Sequence, residues 1–351
     1  MRILFMGETY RADAKTWIDG IKIASGLDID TYELPKQGSR LSRIISFSFK
    51  WFSLLLNRGP AYDIVLAERS TSYGFLALFQ RAKLRVVAQQ GATDLFPNTF
   101  FSKNFKGWIQ KQVYRKSDLI HAWGQTMLLH MQSIGTDPSK IIVGAKGIDL
   151  SVFKYEHFES KPVQPIHMIV TRSLELYYRH DLILQAFSFL KKDNDGIKLH
   201  IVGDGSQRQP LEQLSNRLGI ADSVVFHGRL DQNELVPLLK MSRIYISAPS
   251  TEGFSSSLME AMACGCIPIV TDLPANRENI THRVNGYLFE NGSSTDLHHC
   301  LQMVLSNQSK CNSISVTNRL YAESNFDVSI NMNHFWNLYY NKLNEMRTNP
   351  A

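Results

Sequence analysis

Residues Ala248–Asp272 read APSTEGFSSSLMEAMACGCIPIVTD. An apolar run, RIYISAP, leads into this stretch, and a second, CIPIV, leads out of it. Both have the length and β-branched content of buried strands. The segment between them predicts a helix that begins around Phe254 or Ser255, with a serine near the cap, and ends at Gly265. Glu252 stands just before that helix and Glu260 eight residues later. Eight residues rise about 12 Å, a little over two turns. The two carboxylates therefore cannot serve one atom, but they can hold two parts of one extended ligand. Unpaired N–H groups at the helix start, aided by the helix dipole, suit an anion. Gly253 removes side-chain bulk where such a ligand would approach.

The same alternation extends in both directions. RILFMG, YDIVLAE, LRVVAQQG, DLIHAWG and KIIVGAKG read as buried strands separated by helical lengths. The pattern restarts with IHMIVTR, IKLHIVGDG, SVVFHG, RIYISAP, CIPIVTD and NGYLFE. Two successive blocks of this kind predict two doubly wound α/β domains. The polar, proline-bearing segment around 155–164 separates them, giving domains at 1–158 and 159–326. A closing amphipathic helix over about 327–351, with Val328, Phe335, Leu338, Tyr339 and Leu343 at helical spacing, is expected to pack back on the first domain.

The chain has 351 residues, enough for two such cores, with 44% hydrophobic and 20% charged content and a net charge of +6. A mildly basic balance suits anionic ligands or a membrane surface and equally an unpartnered surface. Cys264, Cys266, Cys300 and Cys311 make no CxxC pair, so they read as reduced thiols of a cytoplasmic protein. The initial apolar run is too short for a signal-peptide core, and no stretch reaches a membrane span. Gly38 to Gly59, GSRLSRIISFSFKWFSLLLNRG, carries basic edges around an apolar, aromatic middle. It reads either as an interfacial helix, with Arg40, Arg43 and Lys50 near anionic headgroups, or as a helix facing its own sheet.

The stretch EGFSSSLMEAMACGCIPIVTD resembles the Glu-x7-Glu motif of the family-four retaining glycosyltransferases, whose fold is GT-B: two Rossmann-like domains facing across a cleft. KGIDLSVF, TRSLELYYRHDLILQAF, LHIVGDGSQRQPLEQL, SVVFHGRLDQNELVPLL and QQGATDLFP resemble further segments of that family in the expected order. The resemblance covers most of residues 85–340. It implies a donor site in which Glu252 lies near the transferred sugar, helped by backbone at Gly253, Phe254 and Ser255. Glu260 would accept from ribose hydroxyls, and Arg172 would face the diphosphate. Gly205 belongs to a nucleotide-contacting turn, Gly228 and Arg229 would flank the base, and Gly7 would let backbone approach the phosphates. On the acceptor side stand Gln90 and Asp94. The sequence departs from the pattern where the family's phosphate-binding lysine aligns with Tyr178. Arg179 beside it is the candidate replacement. A histidine common before the first-domain GxD turn is Gln90 here.

The expected donor is a nucleotide-diphosphate sugar, with UDP or GDP as the base-bearing part. The expected acceptor is a glycan or lipid-linked chain, bound mainly by the first domain. That points to cell-surface polysaccharide or lipopolysaccharide biosynthesis, with peripheral contact at the inner face of the membrane through 38–59. A leaving diphosphate gains charge that arginine forks and a helix N-terminus stabilise without a metal. No cofactor or metal is expected. Asp28 with Asp30, and Asp193 with Asp195, have Asp-x-Asp spacing but read as solvated turns. VGDGSQR has Arg208 where a dinucleotide fingerprint needs its third glycine. No clustered basic helix or aromatic repeat marks a nucleic-acid partner. His121 reads as a core histidine at a strand end. The alternative readings are a non-catalytic nucleotide- or sugar-binding subunit and a sugar-nucleotide epimerase of the same fold.

Overall fold

The computed structural model describes residues 1–34, 40–56, 59–89 and 100–348. The chain divides into two units, Met1–Gly147 with Val328–Ala351, and Ile148–Asp327. The dividing point thus falls at Gly147, earlier than the polar segment suggested. Residues 148–158 belong with the second unit because Ile148 donates its N–H to the Phe326 carbonyl at 2.7 Å, and Phe153 and Phe158 are buried.

The first unit runs β1 (Ile3–Met6), α1 (Ala12–Ser25), β2 (Ile29–Tyr32), α2 (Arg40–Leu56), β3 (Tyr62–Glu68), α3 (Gly74–Ala77), β4 (Ala82–Ala88), α4 (Phe100–Lys116), β5 (Leu119–Ala122), α5 (Gln125–Ser133) and β6 (Ile141–Val143). Its six strands are parallel in the order β2-β1-β3-β4-β5-β6. The fully buried pattern of β1 and β5 is what a sheet covered on both faces requires. β2 was not among the expected strands. Its exposed Asp30 sits within an edge strand and pairs with Arg2 at 2.9 Å, which corrects the reading of Asp30 as part of a turn. A polar edge strand lacks the continuous apolar run that marks its neighbours.

The second unit runs β7 (Ile166–Thr171), α6 (His180–Lys191), β8 (Ile197–Val202), α7 (Arg208–Arg217), β9 (Val224–Gly228), α8 (Gln232–Met241), β10 (Ile244–Ser247), α9 (Ser256–Ala263), β11 (Ile267–Thr271), α10 (Pro274–Arg277), β12 (Tyr287–Phe289), α11 (Ser294–Ser306) and α12 (Gln308–Asn325). Its strands are also parallel, in the order β12-β11-β10-β7-β8-β9. Leu184, Phe187, Leu199, Ile201, Ile246, Ile269 and Leu297 belong to one continuous buried core. Below the sheet, Lys161 is almost fully buried. Its ammonium donates to the carbonyls of Leu239 (3.3 Å), Ser242 (2.8 Å) and Cys264 (2.9 Å), at the C-terminal ends of α8 and α9.

The last helix, α13 (Val328–Thr348), belongs to the first unit and packs on α1. Phe335, Tyr339 and Leu343 are buried, as is Met332, which the apolar count omitted. His121, next to last in β5, lies inside this packing. It bonds the Tyr339 hydroxyl and stacks on Trp123 at 4.6 Å.

In each sheet the chain reverses its direction of travel once: between β1 and β3, and between β7 and β10. Open α/β sheets bind ligands at the carboxyl ends of strands flanking such a reversal.

Candidate functional site in the second unit

Arg172 is the first residue beyond β7, and Ser247 is the last of β10, so the sheet order brings them to the reversal point. The loop after β10 carries Glu252 and Gly253 to Ser255, the N-cap of α9. Ser255 accepts the Leu258 N–H at 3.2 Å, as a capping serine should. Its hydroxyl and the Glu252 carboxylate both accept from one terminal nitrogen of Arg172. Nε of Arg172 reaches Ser247 Oγ at 3.5 Å. Ser257 Oγ donates to the Thr171 carbonyl at 2.9 Å and so fixes the start of α9 to the end of β7. One guanidinium thus joins a strand end, a loop and a helix start.

The ring of Tyr178, where the family resemblance would place a lysine, covers Arg172 at 5.2 Å. The departure therefore replaces a second cation with an aromatic face that supports the first. Arg179 adopts a left-handed backbone (φ 50°), and its guanidinium forks onto Asp181 at 3.1 Å twice. Its charge is engaged there and not at Arg172. The loop after β10 is tied to this turn where Ser250 donates its N–H to the Tyr177 carbonyl at 2.8 Å.

The electrostatics follow from enclosure. Burial pushes the Arg172 guanidinium down, but the Glu252 carboxylate together with Tyr245 and Tyr178 outweighs it, and the group stays a firm cation. Burial pushes the Glu260 carboxyl up to about 7, with Arg172 pulling the other way. Glu260 lies on α9, half-buried, with no hydrogen-bond partner among the described residues. His180, in the first turn of α6, is buried, and neither ring nitrogen has a partner among the described residues. Burial and the Arg172 charge hold it down at about 4, so it is neutral.

Glycines shape the floor. A Cβ on Gly203 (φ 140°) would lie 2.0 Å from the Arg172 carbonyl oxygen, and one on Gly205 would lie 2.5 Å from that of Leu174. Gly203 also donates to the Gly228 carbonyl at 2.7 Å. The VGDG turn therefore presses backbone against the segment that carries Arg172, where no side chain fits.

Of the expected residues, Arg172, Glu252, Gly253, Phe254, Ser255 and Glu260 gather at this reversal point, with Gly205 and Gly228 in the adjoining backbone. Arg229 is exposed beyond β9. Gly7 lies in the first unit, against the buried Glu68 carboxylate. Gln90 and Asp94 lie outside the described residues. Among the described residues no three His, Cys, Asp or Glu side chains gather as a metal site.

Sequence reasoning missed Ser247, His180 and Gly203. It also missed a charged group at the reversal point of the first unit. There Glu8 accepts from Arg69 at 2.7 Å, and its N–H donates to Glu68 at 3.0 Å. Arg69 has a left-handed φ of 58°, a cost that a structure tolerates where surrounding contacts fix it. Lys146 is buried at 4.6 Å from the Trp123 ring and donates to the Asp13 carbonyl at 3.0 Å. The available signal was a carboxylate at the end of each of two strands, Glu8 two residues past β1 and Glu68 as the last of β3.

Residues 153–320 match the family model for glycosyl transferases group 1. A Campylobacter jejuni relative, N-acetylgalactosamine-N,N'-diacetylbacillosaminyl-diphospho-undecaprenol 4-alpha-N-acetylgalactosaminyltransferase, is 26% identical over 64% of this chain and 61% of its own length. N-acetyl-alpha-D-glucosaminyl L-malate synthase of Bacillus anthracis is 38% identical over 32% of this chain and 29% of its own length. The chain therefore spans under two thirds of these two relatives. Among solved structures, sucrose-phosphate synthase from Thermosynechococcus elongatus superposes with a TM-score of 0.81 at 12% identity, covering 98% of this chain and 100% of that one. Anabaena HepE in complex with UDP gives 0.76 at 16% identity, covering 97% and 100%. These likenesses show the GT-B fold, and the match over residues 153–320 makes the second unit similar to glycosyl transferases group 1.

Proposed function

We propose that this protein is a retaining glycosyltransferase that moves a sugar from a nucleotide-diphosphate sugar, UDP- or GDP-linked, to a glycan or lipid-linked acceptor in cell-surface polysaccharide or lipopolysaccharide biosynthesis. The observation that carries this reading is the convergence of Arg172, Glu252, Ser255 and Glu260 at the β7/β10 reversal point. A cation, a helix start and two carboxylates two turns apart match the parts of such a donor. Arg172 and the N-terminus of α9 would take the diphosphate and stabilise the charge that grows as the glycosidic bond breaks. Glu260 would accept from ribose hydroxyls. Glu252, which pairs with Arg172, would meet the sugar. Retention, by front-face attack of the acceptor assisted by the donor phosphate, rests on the family resemblance.

The four cysteines are free and buried, in keeping with a reducing, cytoplasmic setting. Contact with the inner face of the membrane through 38–59 belongs to the same reading. It is supported by exposed Ile45, Phe49, Phe52 and Leu56, which recur at helical spacing along α2. Among the described residues no helix is long and apolar enough to cross a membrane.

The test is thermal unfolding with UDP, GDP, ADP and CMP, followed by the anomeric configuration of the product made from the nucleotide sugar that binds. A ligand at about 100 times its dissociation constant adds about 2.7 kcal/mol. Stabilisation by one nucleotide, lost in Glu260→Ala, is expected. No shift with any nucleotide, or an inverted product, would overturn the corresponding part of the reading.

A further inference from the structure

We propose that α4 is a second membrane-contacting element, and that α2 and α4 together form one basic, aromatic surface for a bilayer with anionic headgroups. This extends the membrane contact proposed above and rests on that reading.

The two helices belong to one layer. The crossovers that carry α2, α3 and α4 all run the same way along the sheet, and right-handed connections set them on one face. α3 touches both α2 and α4. α4 turns Gln110, Val113 and Tyr114 inward. Outward it presents Phe105 (65% exposed) and Trp108 (56%), whose rings stack at 6.5 Å. On α2, Leu54 is the one buried side chain among those described. Phe47 and Trp51 lean on Phe75 and Phe79, and Phe49 (76%) and Phe52 (57%) point away.

Charge names the occupant. The sequence of α2 includes Arg40, Arg43 and Lys50, and that of α4 includes Lys103, Lys106, Lys111, Arg115 and Lys116; neither helix has an acidic residue. That is +8 on two helices of a chain whose net charge is +6, so the rest of the chain carries −2. A second copy of the chain docking through this face would set one cationic layer against another. Anionic headgroups neutralise it, while Phe and Trp enter the interface and lysine stems reach around them. In sequence, α4 follows directly on the segment holding Gln90 and Asp94, so a bilayer contact through α4 would bring the acceptor side of the chain to a lipid-linked substrate.

The test is co-sedimentation of the full chain with phosphatidylcholine vesicles, with and without one third phosphatidylglycerol. The pairs compared are Phe105→Ser/Trp108→Ser, Lys106→Gln/Lys111→Gln and Phe49→Ser/Phe52→Ser, all on exposed side chains. Unchanged nucleotide-dependent melting confirms that each variant folds. Wild type is expected to bind the anionic vesicles, and the lysine pair to weaken that binding about fivefold per charge. The aromatic pair on α4 should weaken it by a factor comparable to that of the α2 pair. Undiminished binding of both α4 variants alongside a weakened α2 variant would overturn the role of α4 and leave the contact through 38–59 standing. No binding by wild type, or a dimer that these substitutions dissociate, would overturn both membrane readings and leave the donor site to its own test.

Discussion

Replacing Glu260 with glutamine should stabilise the empty protein while weakening its grip on a nucleotide. Burial raises the Glu260 carboxyl from 4.5 to about 7. The unfolded chain releases this proton near 4.5, and the folded chain holds it until about 7. The unfolded state therefore binds fewer protons across that window, and the fold loses stability as pH rises through it. At about 1.4 kcal/mol per pH unit, the loss reaches about 3 kcal/mol by pH 8. Because Glu260 keeps some solvent exposure, that is an upper figure. Glutamine has nearly the same shape and no proton to lose. Glu260→Gln should thus exceed wild type by up to about 3 kcal/mol at pH 8, but by only about 1.4 kcal/mol at pH 5.5, one unit above the unfolded value. Urea unfolding of both proteins at the two pH values reads this directly, and any other titrating group cancels in the difference. In the same samples the UDP- or GDP-dependent stabilisation should shrink in the variant. A wild-type donor affinity that depends on the ionised carboxylate should fall about tenfold between pH 8 and pH 6, while that of the variant stays flat. A stability gap that is the same at pH 8 and 5.5, or a variant less stable than wild type at pH 8, would refute the argument that Glu260 is a strained, enclosed carboxyl kept for a ligand.

Arg172→Lys should lose donor-dependent stabilisation and at least about a hundredfold in sugar transfer, because a point charge cannot reproduce a planar guanidinium whose terminal nitrogen meets Glu252 and Ser255 while its Nε reaches Ser247; near wild-type turnover would sink its assigned role. Acid should unfold the protein early. Burial lowers His121 to about 3, and His180 and His200 to about 4, so each stays neutral when folded while its unfolded form gains a proton below 6.5. Stability is lost as pH falls through that range, by about 2 kcal/mol per histidine at pH 5, and urea midpoints that hold steady from pH 7 to 5 would contradict this. Lys161→Met should cost at least about 3 kcal/mol in urea unfolding of the second unit, since three carbonyls at the ends of α8 and α9 lose their common donor; a cost under 1 kcal/mol would show that water replaces the ammonium.

Much of the architecture is legible in local pattern. Each buried strand of the second unit is a short apolar run with a polar or glycine end, and periodicity alone reveals it. The helix of α9 is legible for the same reason: Ser255 caps it and Gly265 stops it, both within reach of their own neighbours. β2 escaped because an edge strand of alternating character, IDTY, makes no such run.

The sequence by itself determined the alternation of strands and helices, the cap of α9 and the two-turn interval between Glu252 and Glu260, because each depends on contacts a few residues apart. Tertiary structure decided which residue meets which. Arg172 reaches Glu252 across 80 positions only because β10 lies beside β7. Arg179, next to the expected phosphate position, turns to Asp181 because its backbone is left-handed there. Tyr178 covers Arg172 instead of replacing it. Glu8 and Glu68 become one buried group because β1 and β3 are neighbours. Spacing along the chain fixes distances along one element, whereas the order of strands in a sheet, set by burial of the whole core, fixes distances between elements.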